Sequence, residues 1–148
     1  MPTWRPARPL DFPAIVEMCL ALYAEDAGLL SVTAAQVERT LNVFEFEPSR
    51  GQAVVLDVEG TAEGYAFLVP FYSNELDGVV CVVDEVFVRA PMRGRGCGTA
   101  LFDAIIEKRF GTFAAIALGV TPNNHRARRL YERLGFQVAG IGMLRLRT

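Results

Sequence analysis

At 148 residues, 51% of them hydrophobic, the chain is long enough to bury about two thirds of its unfolded surface in a single core, so we expect one domain spanning residues 1–148. Cys19, Cys81 and Cys97 are an odd number without metal-ligand spacing, which speaks against a disulfide scaffold and a bound metal and for a reducing cytoplasm. The net charge of −2 hides a division: residues 1–88 hold 4 Lys/Arg against 14 Asp/Glu, and residues 89–148 hold 11 against 3.

No basic segment followed by an apolar run opens the sequence, and no apolar stretch reaches ~18 residues, so neither a secretory leader nor a membrane span is expected. The basic half could suit nucleic acid. Its charges cluster around two short motifs, however, rather than interleaving with aromatics, and a small anionic ligand accounts for them without a nucleic-acid partner.

In chain order, Trp4-Arg5-Pro6 reads as a first strand, and Asp11 as the N-cap of a helix with Pro13 in its first turn. Ile15, Met18, Cys19 and Leu22 form that helix's apolar stripe, which Glu25-Asp26 closes before Gly28. Thr33 with Gln36 fits a capping box for a second helix, whose inner face is Val37, Leu41 and Phe44. Runs at 53–58, 64–71 and 79–88, separated by Gly60 and by Asp77-Gly78, predict an antiparallel meander, with Pro70 marking an edge or bulge.

The third run ends in Asp84-Glu85-Val86-Phe87-Val88, Pro91 stops it, and Arg93-Gly94-Arg95-Gly96-Cys97-Gly98-Thr99 leads into Leu101-Phe102 and Ile105-Ile106 at helical spacing. Glycines permit left-handed backbone and close approach, and a helix start presents free amides, so this junction suits an anion, phosphate above all. It lacks the Lys-Ser/Thr of a P-loop and the spacing of a dinucleotide fingerprint. A plain glycine-rich turn has the same local composition. After the helix, Lys108-Arg109 and Gly111 are stop signals. Residues 114–120 read as a buried strand, parallel to the one before the helix because a helical crossover separates them. A last helix from Asn123 or Asn124 to Leu134 and two C-terminal strands follow, with 143–147 alternating apolar and basic.

Arg93-x-x-Gly96-x-Gly98 after such a strand, followed at some distance by Asn124-His125-Arg126-Ala127 and by Leu130-Tyr131 and Gly135-Phe136, resembles the two signature motifs of the GNAT superfamily of N-acetyltransferases. Together they cover roughly the last 65 residues. The stretches 64–85 and 143–146 loosely resemble the diamine and polyamine acetyltransferase branch. The resemblance implies an α/β fold, a mixed sheet with flanking helices whose two central parallel strands splay apart, and acetyl-CoA as co-substrate without a metal.

On that resemblance, the backbone of Val86, Phe87 and Val88 would pair with the pantetheine arm. Residues Arg93 to Thr99, including Gly94, Arg95, Cys97 and Gly98, would cradle the pyrophosphate. Asn124 and Ala127 would complete the cofactor site at the helix start. Tyr131 would protonate the departing thiolate, although periodicity alone sets it in a core stripe with Ala127, Leu130 and Leu134. Asp84 and Glu85 occupy the position where relatives carry a base; alternation lets only one of them face the acceptor, and Glu85 has the longer reach. Both also read as ordinary satisfied acids.

The implied activity is direct acetyl transfer to a primary amine. The acidic half favours a small cationic acceptor, with Glu25, Asp26, Glu45, Glu47, Asp84 and Glu85 as the attracting groups. Protein acetylation, at a lysine or an N-terminus, and a non-catalytic CoA-binding regulatory module are the alternatives. A homodimer paired through the C-terminal strand is expected as well.

Overall fold

The computed structural model holds, in order, β1 (Thr3–Pro6), α1 (Phe12–Glu25), α2 (Ala34–Phe46), β2 (Gln52–Val58), β3 (Thr61–Ser73), β4 (Gly78–Val88), α3 (Cys97–Ile106), β5 (Ala115–Leu118) and α4 (His125–Arg133). Residues 1–26, 30–140 and 142–148 are described; Gly28, the expected stop after α1, lies outside them. Thr33 and Gln36 form the expected capping box at α2. Asp11 precedes α1 without capping it, because its carboxylate is taken by the Arg5 guanidinium at 2.8 Å and by the Arg8 amide at 2.7 Å.

The strands form one mixed sheet in the order β1-β2-β3-β4-β5. The first four run antiparallel; short turns join β2 to β3 and β3 to β4, whereas α1 and α2 lie between β1 and β2. The Glu59-Gly60 turn, both residues at positive φ, joins β2 to β3. β5 lies parallel to β4 after the α3 crossover, pairing Val80–Val83 with Ala115–Leu118. Beyond Val83 the longer β4 continues to Val88 with β5 already ended, so the two strands part there. Pro70 lies past the last β2–β3 pair, Gln52 with Leu68, where β3 has a free side that asks for no proline amide.

Each face of the sheet carries a core. On one, Trp4, Val54, Leu56, Leu68, Cys81 and Val83 pack on Leu101, Phe102 and Ile105 of α3. On the other, Val55, Tyr65, Phe67 and Phe87 pack on Ile15, Met18 and Cys19 of α1 and Val37 and Leu41 of α2. Fully burying one such aliphatic side chain contributes about 1.5–3 kcal/mol.

An irregularity in β4 sets the site's geometry. Phe67 pairs with Glu85 and Leu68 with Val83, leaving Asp84 as the extra residue of a bulge. In unbroken alternation residues 81, 83, 85 and 87 would share a face. The bulge instead leaves Cys81 and Val83 against α3 and turns the following segment over, so that Phe87 packs against α1.

The two C-terminal strands are not formed: residues 137–140 and 142–148 hold no regular structure, and Met143, Leu144 and Leu146 are 88–95% exposed. Alternating apolar residues make a strand only where a neighbour completes the ladder. No such neighbour is present among the described residues.

Candidate active site

The parting of β4 from β5 opens a cleft of about 620 Å³ whose wall includes Val86, Phe87 and Val88. After a single 3-10 turn at Ala90–Met92 the chain swings through Gly94 (φ 73°) and Gly96 (φ 78°), the second of which is the N-cap of α3. A glycine cap has no side chain to satisfy the first-turn amides, which leaves the N–H groups of residues 97–99 for another acceptor. A Cβ at Gly96 would meet nothing within 4 Å, so open space lies over the loop and only the left-handed backbone requires glycine there.

Distant elements fix this helix start. The Trp4 indole Nε1 donates to the Cys97 carbonyl at 2.8 Å, and the Arg109 guanidinium donates to the Trp4 carbonyl at 2.7 Å. Gly98 lets α4 approach, since a Cβ there would stand 3.0 Å from Leu130 Cδ2. Cys97 is buried, its Sγ 3.6 Å from the Met92 carbonyl, and burial raises its thiol pKa. It is a small filler rather than a nucleophile.

Of the expected cofactor residues, Arg93, Gly94, Gly96, Cys97, Gly98, Thr99, Asn124 and Ala127 all line the cleft. Arg95 does not; it is exposed, turned outward between two left-handed glycines. Arg93 is already engaged, its Nε donating to the Val88 carbonyl at 2.8 Å and Nη2 to Glu25 at 3.0 Å, with the guanidinium over the Phe87 ring. Asn124 caps α4, its side-chain oxygen accepting from the Ala127 amide at 3.2 Å.

Arg126, Arg129 and Arg133 also line the cleft. Among the described residues none of the three forms an ion pair; α4's internal pair joins Arg128 to Glu132. Sequence reasoning passed over them, although their spacing of three and four puts them on one helical face.

Tyr131 is packed at its ring and lines the cleft. Its ring packs edge-on against Phe102 and Phe136, at centroid distances of 5.9 and 5.7 Å. Its hydroxyl, by contrast, bonds to no described residue. Among the described residues no fully buried side-chain polar atom lacks a partner, so that hydroxyl is not fully buried, and the residue lines the cleft. Burial raises its pKa, so it is a protonated donor at neutral pH.

Asp84 and Glu85 lie off the cleft wall. Asp84 is exposed at the bulge, yet partial enclosure of its carboxyl and the Glu85 charge raise its pKa. Glu85 is half-buried against α1, where one carboxylate oxygen accepts from Tyr65 Oη at 2.8 Å and Cys19 Sγ at 3.5 Å, and the other from Tyr23 Oη at 2.5 Å. Of the other acids expected to draw a cation, Glu25 holds Arg93, Asp26 accepts from Thr121 Oγ1 at 3.1 Å, and Glu47 pairs with Arg50.

The chain belongs to the acetyltransferase (GNAT) family, whose model matches residues 17–136. It is 33% identical over 86 residues to an aminoglycoside N(6')-acetyltransferase type 1 of Klebsiella pneumoniae, an alignment covering 55% of this chain and 43% of that one. It is also 33% identical over 72 residues to a kanamycin resistance protein of Rhizobium radiobacter, covering 47% and 67% respectively. The alignment thus spans less than half of the Klebsiella relative.

Solved structures share the fold at low identity. A possible acetyltransferase from Clostridium difficile 630 superposes with a TM-score of 0.84 at 18% identity, covering 100% of this chain and 98% of that one. An aminoglycoside N-acetyltransferase in complex with a CoA-based bisubstrate analogue gives 0.76 at 16%, covering 100% and 99%.

Proposed function

We propose that the chain transfers the acetyl group of acetyl-CoA directly to a primary amine of a small polycationic acceptor, of the polyamine or aminoglycoside kind. One observation carries the reading: a single cleft gathers the uncapped amides of α3, three arginines without ion pairs among the described residues, and Tyr131. Open space over Gly96, together with this donor set, fits a phosphate-bearing ligand.

Acetyl-CoA would supply the acetyl group as a thioester, displaced with loss of a thiol. The first-turn amides of α3 and Arg126, Arg129 and Arg133 would hold its phosphates. The backbone of residues 86–88, free of β5, offers an edge for an extended amide-bearing arm. Tyr131 would donate its proton to the departing sulfur. An alkyl amine with a reference pKa of ~10.4 must lose its proton at a cost of roughly 4–5 kcal/mol at pH 7. Glu85 would take that proton through water, with Asp84 as the second candidate.

The cationic acceptor is favoured by the acidic balance of residues 1–88 and by the relatives named for aminoglycosides. The test is thiol release from acetyl-CoA across a panel of polyamines, aminoglycosides, lysine analogues, neutral aryl amines and a histone-tail peptide, at low and high salt. Turnover of the small cations, falling with salt, is expected. Turnover of the peptide alone would make this a protein acetyltransferase, and CoA binding without any turnover would make it a regulatory module.

A further inference from the structure

Resting on the reading of Glu85 as proton acceptor, we propose that Tyr23 and Tyr65 are its positioning residues: Tyr65, with Cys19, anchors one carboxylate oxygen, and Tyr23 aims the other toward the acceptor side of the cleft. Three elements meet here. Cys19 and Tyr23 come from α1, Tyr65 from β3 and Glu85 from β4, at sequence separations of 66, 62 and 20 residues.

The donors are unevenly shared. Among the described residues Oε1 accepts from Tyr65 and from the Cys19 thiol, which fill its two lone-pair directions, whereas Oε2 accepts from Tyr23 alone. Oε2 keeps one lone pair for a water or an amine. It is therefore the atom that takes the proton, while Oε1 is held.

The surroundings are graded in the same sense. Tyr65 has no exposure at all, and its ring sits between Phe67 and Phe87 at centroid distances of 5.1 and 6.5 Å, so the anchor is rigid. Tyr23 is half-buried, one residue after Leu22 and two before Glu25, both of which line the cleft. Glu85 itself adjoins cleft-lining Val86, and only the Asp84 bulge turns it onto this face.

The titratable groups around the Glu85 carboxylate are Cys19 and Tyr23 on α1, Tyr65 on β3 and Asp84 beside it on β4. Burial, with the Glu85 charge adding to it, lifts both phenols well above the usual tyrosine value and pushes the Cys19 thiol up to about 12. All three remain neutral donors through the working pH range. Among the described residues the hydrogen-bond partners of this carboxylate are these neutral donors, and none is a cation that would compete with a cationic acceptor.

The experiment measures thiol release at saturating acetyl-CoA against pH for the wild type, Tyr23→Phe, Tyr65→Phe and the double variant, with KM for both substrates and melting temperatures. Loss of a positioning donor should lower kcat about tenfold across the pH profile while leaving KM for acetyl-CoA unchanged. Tyr23→Phe, at the half-buried position, keeps the test decisive if loss of the core hydroxyl in Tyr65→Phe unfolds the protein. A wild-type profile in folded Tyr23→Phe, with only the melting temperature lowered, would reduce the cluster to a packing device and overturn the proposal. A wild type that acetylates no amine would instead remove the acetyltransferase reading beneath it.

Discussion

Trp4 and Cys97, 93 residues apart, are joined by one hydrogen bond of 2.8 Å from the indole nitrogen to the carbonyl at the first residue of α3. The first strand thereby fixes the orientation of the helix start on which the proposed phosphate site is built. Trp4 is 1% exposed, so the bond is made in a dry environment, where an unmatched partner costs most.

Trp4→Phe should therefore destabilise the fold by about 1–3 kcal/mol, combining a lost buried hydrogen bond with a cavity. CoA affinity should fall beyond what the unfolded fraction explains. Denaturant titration and calorimetry on the same samples check both. Wild-type affinity in the folded fraction would show that α3 is held without Trp4.

Gly96→Val should weaken CoA binding at least tenfold, because a β-branched residue at φ 78° is strained and its side chain enters the open space over the loop. Stability should fall by only about 1–3 kcal/mol, since the Cβ clashes with nothing. Equal losses of binding in Gly96→Val and Gly60→Val would remove the loop's special role.

On α4, Arg129→Ala or Arg133→Ala should raise KM for acetyl-CoA roughly three- to tenfold without changing kcat, as expected when a charge-assisted contact to the cofactor is removed away from the reacting atoms. The increase should shrink at high salt. Steady-state kinetics at two ionic strengths decide it, and a salt-independent KM would remove these arginines from the site.

Acid stability depends on Asp11. Its hydrogen bond with Arg5 is the main cause of a pKa below the ordinary carboxylate value, reinforced by the Arg8 amide and opposed by burial. A folded-state pKa below the unfolded ~3.9 stabilises the protein above that value, and the contribution is lost as pH falls through the folded pKa. Asp11→Asn should lower the melting temperature at pH 7, and the gap to wild type should narrow as pH falls from about 5 to below 4. A constant gap over that range would exclude the ion pair as its source.

What could be read from the sequence was local. The glycine loop, the α3 and α4 helices and the β2–β3–β4 meander are encoded within ten or so consecutive residues, by spacing and turn chemistry, and each stands within a few residues of its expected position. The Glu85 cluster is encoded by register. Its face depends on one extra residue at Asp84, which is visible only once Phe67 and Leu68 are seen to pair across the bulge, and Tyr23 and Tyr65 carry no motif of their own. On a regular strand, alternation sets Glu85 on the same side as Val83 and Asp84 on the other. The C-terminal residues erred the other way, since their alternation is a strand signal that finds no partner ladder among the described residues.

The proposed acetyl transfer turns on the Tyr131 hydroxyl, which would act on the departing sulfur from a ring packed against Phe102 and Phe136. Tyr131→Phe keeps the ring contacts and removes one oxygen, so its effect isolates that group. Thiol release with the preferred amine at saturating substrates should fall by ~10²-fold or more, while calorimetry returns CoA affinity within about twofold of wild type. Unchanged thiol release in the folded variant would contradict the account.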